Sequence, residues 1–249
     1  ERQLPRVSGE DSVPTTAMPR RKREPALETS QSRRYSALVG ATFWASLENI
    51  LKHYGSHALI GTWTAAGHEW LSYSRFLRRV ECFSSGLVQL LPDLDCAVGI
   101  CAGNVAEWLI ADFACVRASV LSVPIHTNRI GDEAGLRHIS DELNMRAVVC
   151  SASLASVFER CGAQLVIAIG GEAAPSSRAR TALPLPATVP FAAVEVAGRS
   201  SIVAAAGMHT AAARPLTVFF SSGSTGRPKG VALTEGELRA DLADAAADE

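Results

Sequence analysis

The sequence predicts an α/β fold: a doubly wound, mainly parallel sheet with flanking helices and a short β-hairpin near its start. Three observations carry that expectation. Four continuous apolar runs, AVGIC (97–101), VLSVP (120–124), AVVC (147–150) and QLVIAI (164–169), lack the in–out alternation of strands with one wet face. Stretches of helical period separate them, as a β-α-β chain requires. A fifth run, LTVFF (216–220), empties into a ten-residue loop, SSGSTGRPKG, after which VAL resumes an apolar run.

Taken in order, residues 1–38 are rich in Pro, Ser, Thr and Arg without an apolar period, so a disordered arm is expected there. Its cluster Arg20, Arg21, Lys22, Arg23 reads as solvated charge, and the acidic residues interspersed before Tyr35 argue against a mitochondrial presequence. From Phe43 the pattern turns helical: Phe43, Trp44, Leu47, Ile50, Leu51 and Tyr54 share a face, and Gly55 is placed as a stop. ALIGTW and EWLSY flank AAGH and suit a hairpin, after which Ser72 or Ser74 can cap a helix carrying Phe76, Leu77, Val80, Leu87 and Leu90. Asn104 with Glu107 three residues later matches a capping pair opening the helix after AVGIC. Further helices are expected over Asp132–Leu143 and Leu154–Cys161, and a short one near FAAVEVAG. Thr234 and Glu237 form a T-x-x-E capping box for a final helix.

A chain of 249 residues, 47% hydrophobic, can bury a real core. Lys plus Arg number 24 against 25 Asp plus Glu, so no basic field exists to draw nucleic acid. Six cysteines include no C-x-x-C pair, and most sit in or beside apolar runs, which favours free thiols in a reducing, intracellular compartment. The longest apolar stretch, Ala97 to Ile125, is broken by Glu107, Asp112 and Arg117, so no transmembrane helix is expected, and no signal peptide. The cytoplasm, or the cytosolic face of a membrane touched peripherally, is the expected location. The chain begins with Glu and stops soon after its most informative motif, so both ends read as those of a fragment.

The loop at 221–230 suits a polyphosphate at each position. Gly223 and Gly226 can turn successive N–H groups inward as an anion nest and let the main chain approach oxygens that a Cβ would block. Ser221, Ser222, Ser224 and Thr225 add neutral donors. Lys229 supplies a compact, mobile charge that can follow a phosphate, and Pro228 stiffens the turn that aims it. Only three of the 24 basic residues are lysine, which makes a lysine here the more specific. A Walker A loop is excluded, because Pro228 precedes the lysine and Gly230 follows it. The plain structural alternative is a Ser/Gly-rich turn between two strands.

This loop resembles the S-G-T-T-G-x-P-K-G loop of the adenylate-forming (AMP-binding) superfamily: acyl-CoA synthetases, nonribosomal-peptide adenylation domains and luciferases. Upstream, EWLSYSRFLRRVECFSSGL, VGICAGNVAEWLIADFACVRASVLSVPIHTN and LRHISDELNMRAVVC are similar to the N-terminal part of long-chain fatty acyl-CoA synthetases. The resemblance spans about residues 43–238. It implies that 39–249 is the N-terminal portion of an AMP-binding ligase domain. The implied reaction activates a carboxylate with ATP as acyl-AMP, releasing pyrophosphate, and then transfers the acyl group to coenzyme A. Ser221, Ser222, Gly223, Ser224, Thr225, Gly226 and Lys229 would hold the ATP phosphates together with Mg²⁺, and Lys229 would stabilise the leaving pyrophosphate.

Two departures accompany the resemblance. Relatives usually carry a histidine near the carboxylate-substrate pocket where this chain has Glu235. The family's adenine- and ribose-binding motifs and its C-terminal lysine lie beyond residue 249, so the chain alone is expected to be inactive. Amino- or aryl-acid activation remains an alternative within the superfamily, and a truncated non-catalytic relic with weak nucleotide binding an alternative outside it. Glu107 and Trp108 match N-x-x-E-W of the synthetases, yet capping and an apolar helix face explain them. The six histidines show no metal-ligand spacing, and His126 alone, just past the VLSVP strand, lies at an edge where open α/β sheets bind ligands.

Overall fold

The computed structural model describes residues 38–91, 93–170, 187–202, 212–221 and 228–247, so the expected arm lies almost wholly outside the described residues. Helix α1 (Phe43–Tyr54) begins where Thr42 accepts a hydrogen bond from the Ala45 amide and ends at Gly55, whose φ of 43° a side chain would strain. Strands β1 (Ala58–Thr64) and β2 (Gly67–Ser72) form the expected hairpin as a separate two-stranded antiparallel sheet. Ser72, rather than Ser74, caps α2 (Tyr73–Leu90) by accepting from the Arg75 amide.

The main sheet is built from β3 (Ala97–Cys101), β4 (Leu121–Pro124), β5 (Met145–Ser151), β6 (Leu165–Ile169), β7 (Ala187–Pro190), β8 (Pro215–Ser221) and β9 (Lys229–Thr234). Its order is β7-β6-β5-β3-β4-β8-β9, all parallel except the edge strand β9. The intervening helices are α3 (Ala106–Ala118), α4 (Glu133–Glu142), α5 (Ala155–Arg160) and α6 (Phe191–Arg199), and α7 (Glu235–Ala247) closes the chain.

The continuous apolar runs are explained by burial of both sheet faces. Val98, Ile100, Ala147, Val149, Leu165 and Ile167 pack with Phe76, Phe83, Leu87, Ile110 and Val194 of α2, α3 and α6. Their alternates Ala97, Cys101, Val148, Cys150 and Val166 pack with Leu136, Ile139 and Phe158 of α4 and α5. Helices on both faces are the doubly wound arrangement the sequence predicts.

Two details differ from expectation. The N-cap of α3 is Val105, with no side-chain cap bond, so Asn104 and Glu107 do not form the expected capping pair. Glu107 is instead drawn to Arg79 of α2, whose Nη2 donates to its Oε1 at 2.8 Å, while Arg79 Nε donates to the buried Glu195 of α6 at 2.7 Å. Burial alone would lower the Arg79 pKa, but the bonds to Glu195 and Glu107 outweigh it and hold the guanidinium above its ordinary value. One arginine thus ties three helices together over the Phe191 ring, 5.9 Å away. The second difference is β7, whose ATVP sequence carries little strand signal and which pairs because β6 offers it an edge.

All six cysteines are free and buried. Burial pushes the Cys101 thiol up to about 11 and the Cys150 thiol up to about 12, so neither forms the reactive thiolate near neutral pH. In the native protein at pH 7.5, a thiol-labelling reagent is expected to leave both unmodified, and to modify them once denaturant is added; native labelling of either would show that this core opens.

Candidate functional site

The loop-bearing hairpin is positioned by β8, whose parallel neighbour β4 sets its direction. β8 and β9 pair antiparallel from Pro215↔Thr234 to Ser221↔Lys229, so the strand ends that flank residues 222–228 meet at the C-terminal end of β8. The C-terminal ends of β3 and β4 share that edge. There β3 passes to β4 through α3 on one face, and β4 returns to β5 across β3 through α4 on the other. Ligands of open α/β sheets occupy the crevice at such a switch.

The structure brings Ser221 and Lys229 together as the last rung of the hairpin, with Ser221 Oγ donating to the Lys229 carbonyl at 3.4 Å. Both side chains are exposed, and among the described residues no carboxylate lies within ion-pair reach of the Lys229 ammonium. Ser222, Gly223, Ser224, Thr225 and Gly226 lie outside the described residues. A cleft of about 520 Å³ adjoins the hairpin, walled by the turn after β3 (Ala102, Gly103, Asn104), the end of β4 (Pro124, Ile125), Trp108, Ile139 and the strand-end pair Phe219–Phe220. His126, Thr127 and Arg129 add polar groups. His126 therefore does reach a cleft, where its Nδ1 accepts from the Asn128 amide at 3.2 Å. Trp108 both packs against the core and lines the cleft.

Glu235 is not brought to the loop. It follows Thr234, paired with Pro215 at the opposite end of β8, about 20 Å of strand away from Ser221. Its side chain is only 6% exposed and accepts a hydrogen bond from the Phe43 amide, so it fastens the start of α7 to the start of α1. The expected capping box is present beside it: Thr234 Oγ1 accepts from the Glu237 amide at 3.3 Å and Glu237 Oε2 accepts from the Thr234 amide at 2.9 Å. Arg129 and Phe219 carry no local sequence signal for a site; their place in the cleft comes from strand ends that only the sheet order puts side by side. Among the described residues no group of three or more His, Cys, Asp or Glu could hold a metal ion, and no helix is long and apolar enough to cross a membrane.

Comparison with known proteins adds an independent line. The model of the family "AMP-binding enzyme" matches residues 48–248. The peroxisomal long chain acyl-CoA synthetase 6 of Arabidopsis thaliana is 28% identical over an alignment of 218 residues that covers 82% of this chain and 30% of the relative. Human long-chain-fatty-acid–CoA ligase 6 is 29% identical over 192 residues, 70% of this chain and 26% of the relative. The chain thus spans less than a third of the curated relatives it matches. Among solved structures, the adenylation domain of the carboxylic acid reductase from Segniliparus rugosus, in complex with AMP and a co-purified carboxylic acid, superposes with a TM-score of 0.64 at 14% identity. It covers 84% of this chain and 38% of that one. A long-chain-fatty-acid-CoA ligase from Archaeoglobus fulgidus gives 0.58 at 18% identity, covering 89% and 39%. The family match across four-fifths of the chain, the shared fold and the Ser/Gly/Lys hairpin agree: this chain belongs to the AMP-binding enzyme family of adenylate-forming proteins.

Proposed function

We propose that residues 39–249 form the N-terminal portion of an AMP-binding ligase domain, preceded by an arm over 1–38. Its reaction is ATP-dependent activation of a carboxylic acid as acyl-AMP, followed by transfer to coenzyme A. A long-chain fatty acid is the favoured substrate class, because the curated relatives cited above bear that name. The observation that carries the reading is the β8–β9 hairpin, which sets Ser221 and Lys229 of SSGSTGRPKG side by side at the C-terminal edge of a parallel sheet, with Lys229 unpaired by any described carboxylate.

In this reading the backbone N–H groups around Gly223 and Gly226 and the hydroxyls of Ser221, Ser222, Ser224 and Thr225 bind the β- and γ-phosphates. Lys229 holds positive charge where negative charge accumulates as the α-phosphate is attacked, which favours departure of pyrophosphate. Hydroxyl oxygens are hard donors of the kind Mg²⁺ prefers, and the ion when bound would share in neutralising the phosphates. The partners are small molecules; a net charge of -1 gives no support to nucleic acid. Peripheral contact with a membrane is compatible with a fatty substrate. Six free thiols suit a reducing compartment, hence an intracellular site of action.

The test is pyrophosphate release by the protein containing this chain, with Mg·ATP and a panel of carboxylic acids of different chain length. Release with long-chain fatty acids is expected. Release only with amino or aryl acids would move the reading to another adenylating subtype, and none with any acid, from folded protein, would leave nucleotide binding without catalysis. The 249-residue chain alone is expected not to form acyl-CoA, since it spans less than a third of its relatives.

A further inference from the structure

β9 is the edge strand of the main sheet, and among the described residues nothing pairs with its outer side. The hydrogen bonds at its end fix which of its backbone groups face outward. The Glu235 amide donates to the Arg214 carbonyl at 2.8 Å, across to the chain entering β8, while the Thr234 amide donates to the Glu237 carboxylate at 2.9 Å. Residues of an antiparallel strand alternate between exchanging hydrogen bonds with the neighbour and turning their N–H and C=O away from it. Lys229, Val231 and Leu233 therefore bond to β8, opposite Ser221, Phe219 and Thr217, and Gly230 and Ala232 turn theirs outward.

An edge with free donors and acceptors is a template for another strand, and proteins guard such edges with charge, proline or a bulge. Residues 230–233, GVAL, hold no charge and no proline, and the one irregularity of the pairing lies on the β8 side, between Pro215 and Thr217. The side chains are equally uncovered: Val231 is 56% exposed and its register partner Phe219 45%. Both stand on the face that carries Ser221 and Lys229, since side chains alternate along a strand, and Phe219 already lines the cleft. A strand laid along β9 would set one side chain directly beside Val231 on that face.

We propose that the outer edge of β9, through Gly230 and Ala232, receives one further strand from the remainder of the ligase polypeptide, and that this strand extends the cleft wall begun by Phe219. The proposal rests on the reading of 39–249 as the N-terminal portion of an AMP-binding ligase domain. Length selects the occupant, because the alignments cover 30% of the Arabidopsis relative and 26% of the human one, which leaves most of a protein of that size to pack against this portion. The uncovered surface continues from β9 into α7, which is exposed along most of its length. A strand tethered in the same polypeptide also meets the edge at an effective concentration of about millimolar, an advantage that a second copy of the chain or a free peptide lacks.

The experiment is amide hydrogen exchange at Gly230, Val231, Ala232 and Leu233, in the 249-residue chain and in the whole protein that contains it. In the chain, Val231 and Leu233 are expected to be protected and Gly230 and Ala232 to exchange as open amides do. In the whole protein Gly230 and Ala232 are expected to slow by at least about a hundredfold, as amides held within a sheet do. Ala232→Pro removes only an outward N–H, which an edge strand tolerates, so this variant of the whole protein should lose the protection of Gly230 and keep that of Val231 and Leu233. Open exchange of Gly230 and Ala232 in the wild-type whole protein overturns the proposal. So does protection of both in the chain alone that dilution abolishes, which makes a second copy the occupant. Pyrophosphate release is read on the same whole protein: release with the two amides open discards the docked strand and keeps the ligase reading, and protection without release with any acid does the reverse.

Discussion

In the protein containing this chain, Lys229→Ala is expected to lower the rate of pyrophosphate release by about 10²-fold while leaving the fold intact, the usual cost of removing one group that, as proposed, stabilises developing negative charge. The side chain is exposed at the head of β9 and, among the described residues, bonds to no carboxylate, so its removal opens no cavity and orphans no partner. A melting temperature equal to wild type is therefore part of the prediction. Lys229→Arg should recover only part of the rate, because a planar fork cannot track a moving phosphate as a compact ammonium does. An Ala variant with an undiminished rate would remove Lys229 from the chemistry.

Gly198→Ala is expected to destabilise the protein by about 3 kcal/mol, at the upper end of the usual overpacking cost. A Cβ at Gly198 would stand 1.8 Å from the Cys82 carbonyl oxygen and 2.6 Å from the Gly86 nitrogen, and a Cβ at Gly86 would stand 2.1 Å from the Val194 carbonyl oxygen. All three are backbone atoms, so no rotamer change relieves the clash. The helices α2 and α6 would have to part, and with them the stacked Phe83–Phe191 rings and the Arg79–Glu195 pair. At this chain length the drop in melting temperature is roughly 10 °C. Thermal unfolding of the variant within a degree or two of wild type would show that the two helices are not held at this distance in solution.

Much of the fold is legible in the sequence because its strands are buried on both sides. AVGIC, AVVC and QLVIAI could not be helices of useful length and could not be one-faced strands, and burial of every residue of β3 confirms why. What the sequence withholds is whatever depends on partners distant along the chain. ATVP becomes a strand only because β6 presents an edge to it. Glu107 looks like a cap from its spacing to Asn104, but an arginine 28 residues away competes for it and wins, since an ion pair with Arg79 in a partly buried place outweighs a marginal cap. Glu235 likewise has a capping box beside it, yet its own carboxylate reaches the Phe43 amide 192 residues earlier.

The candidate site divides in the same way. Ser221 and Lys229 stand out through their loop, because glycine, hydroxyl and lysine in one short span have few other uses. His126 is marked by its place after a strand end. Arg129, Phe219 and Phe220 become neighbours of Asn104 and Trp108 only through the strand order β3-β4-β8, a relation no local pattern records.

On the proposed function, the loop sequence at 221–230 grips a polyphosphate. Calorimetric titration of the 249-residue chain with Mg·ATP, inorganic tripolyphosphate and AMP, for wild type and Lys229→Ala, tests it most directly. ATP and tripolyphosphate are both expected to bind, AMP far more weakly, and Lys229→Ala to weaken the first two by about tenfold or more, as loss of a charged phosphate contact should. Binding of AMP as tight as that of ATP with no effect of Lys229→Ala, or no binding of any polyphosphate to folded chain, would contradict it.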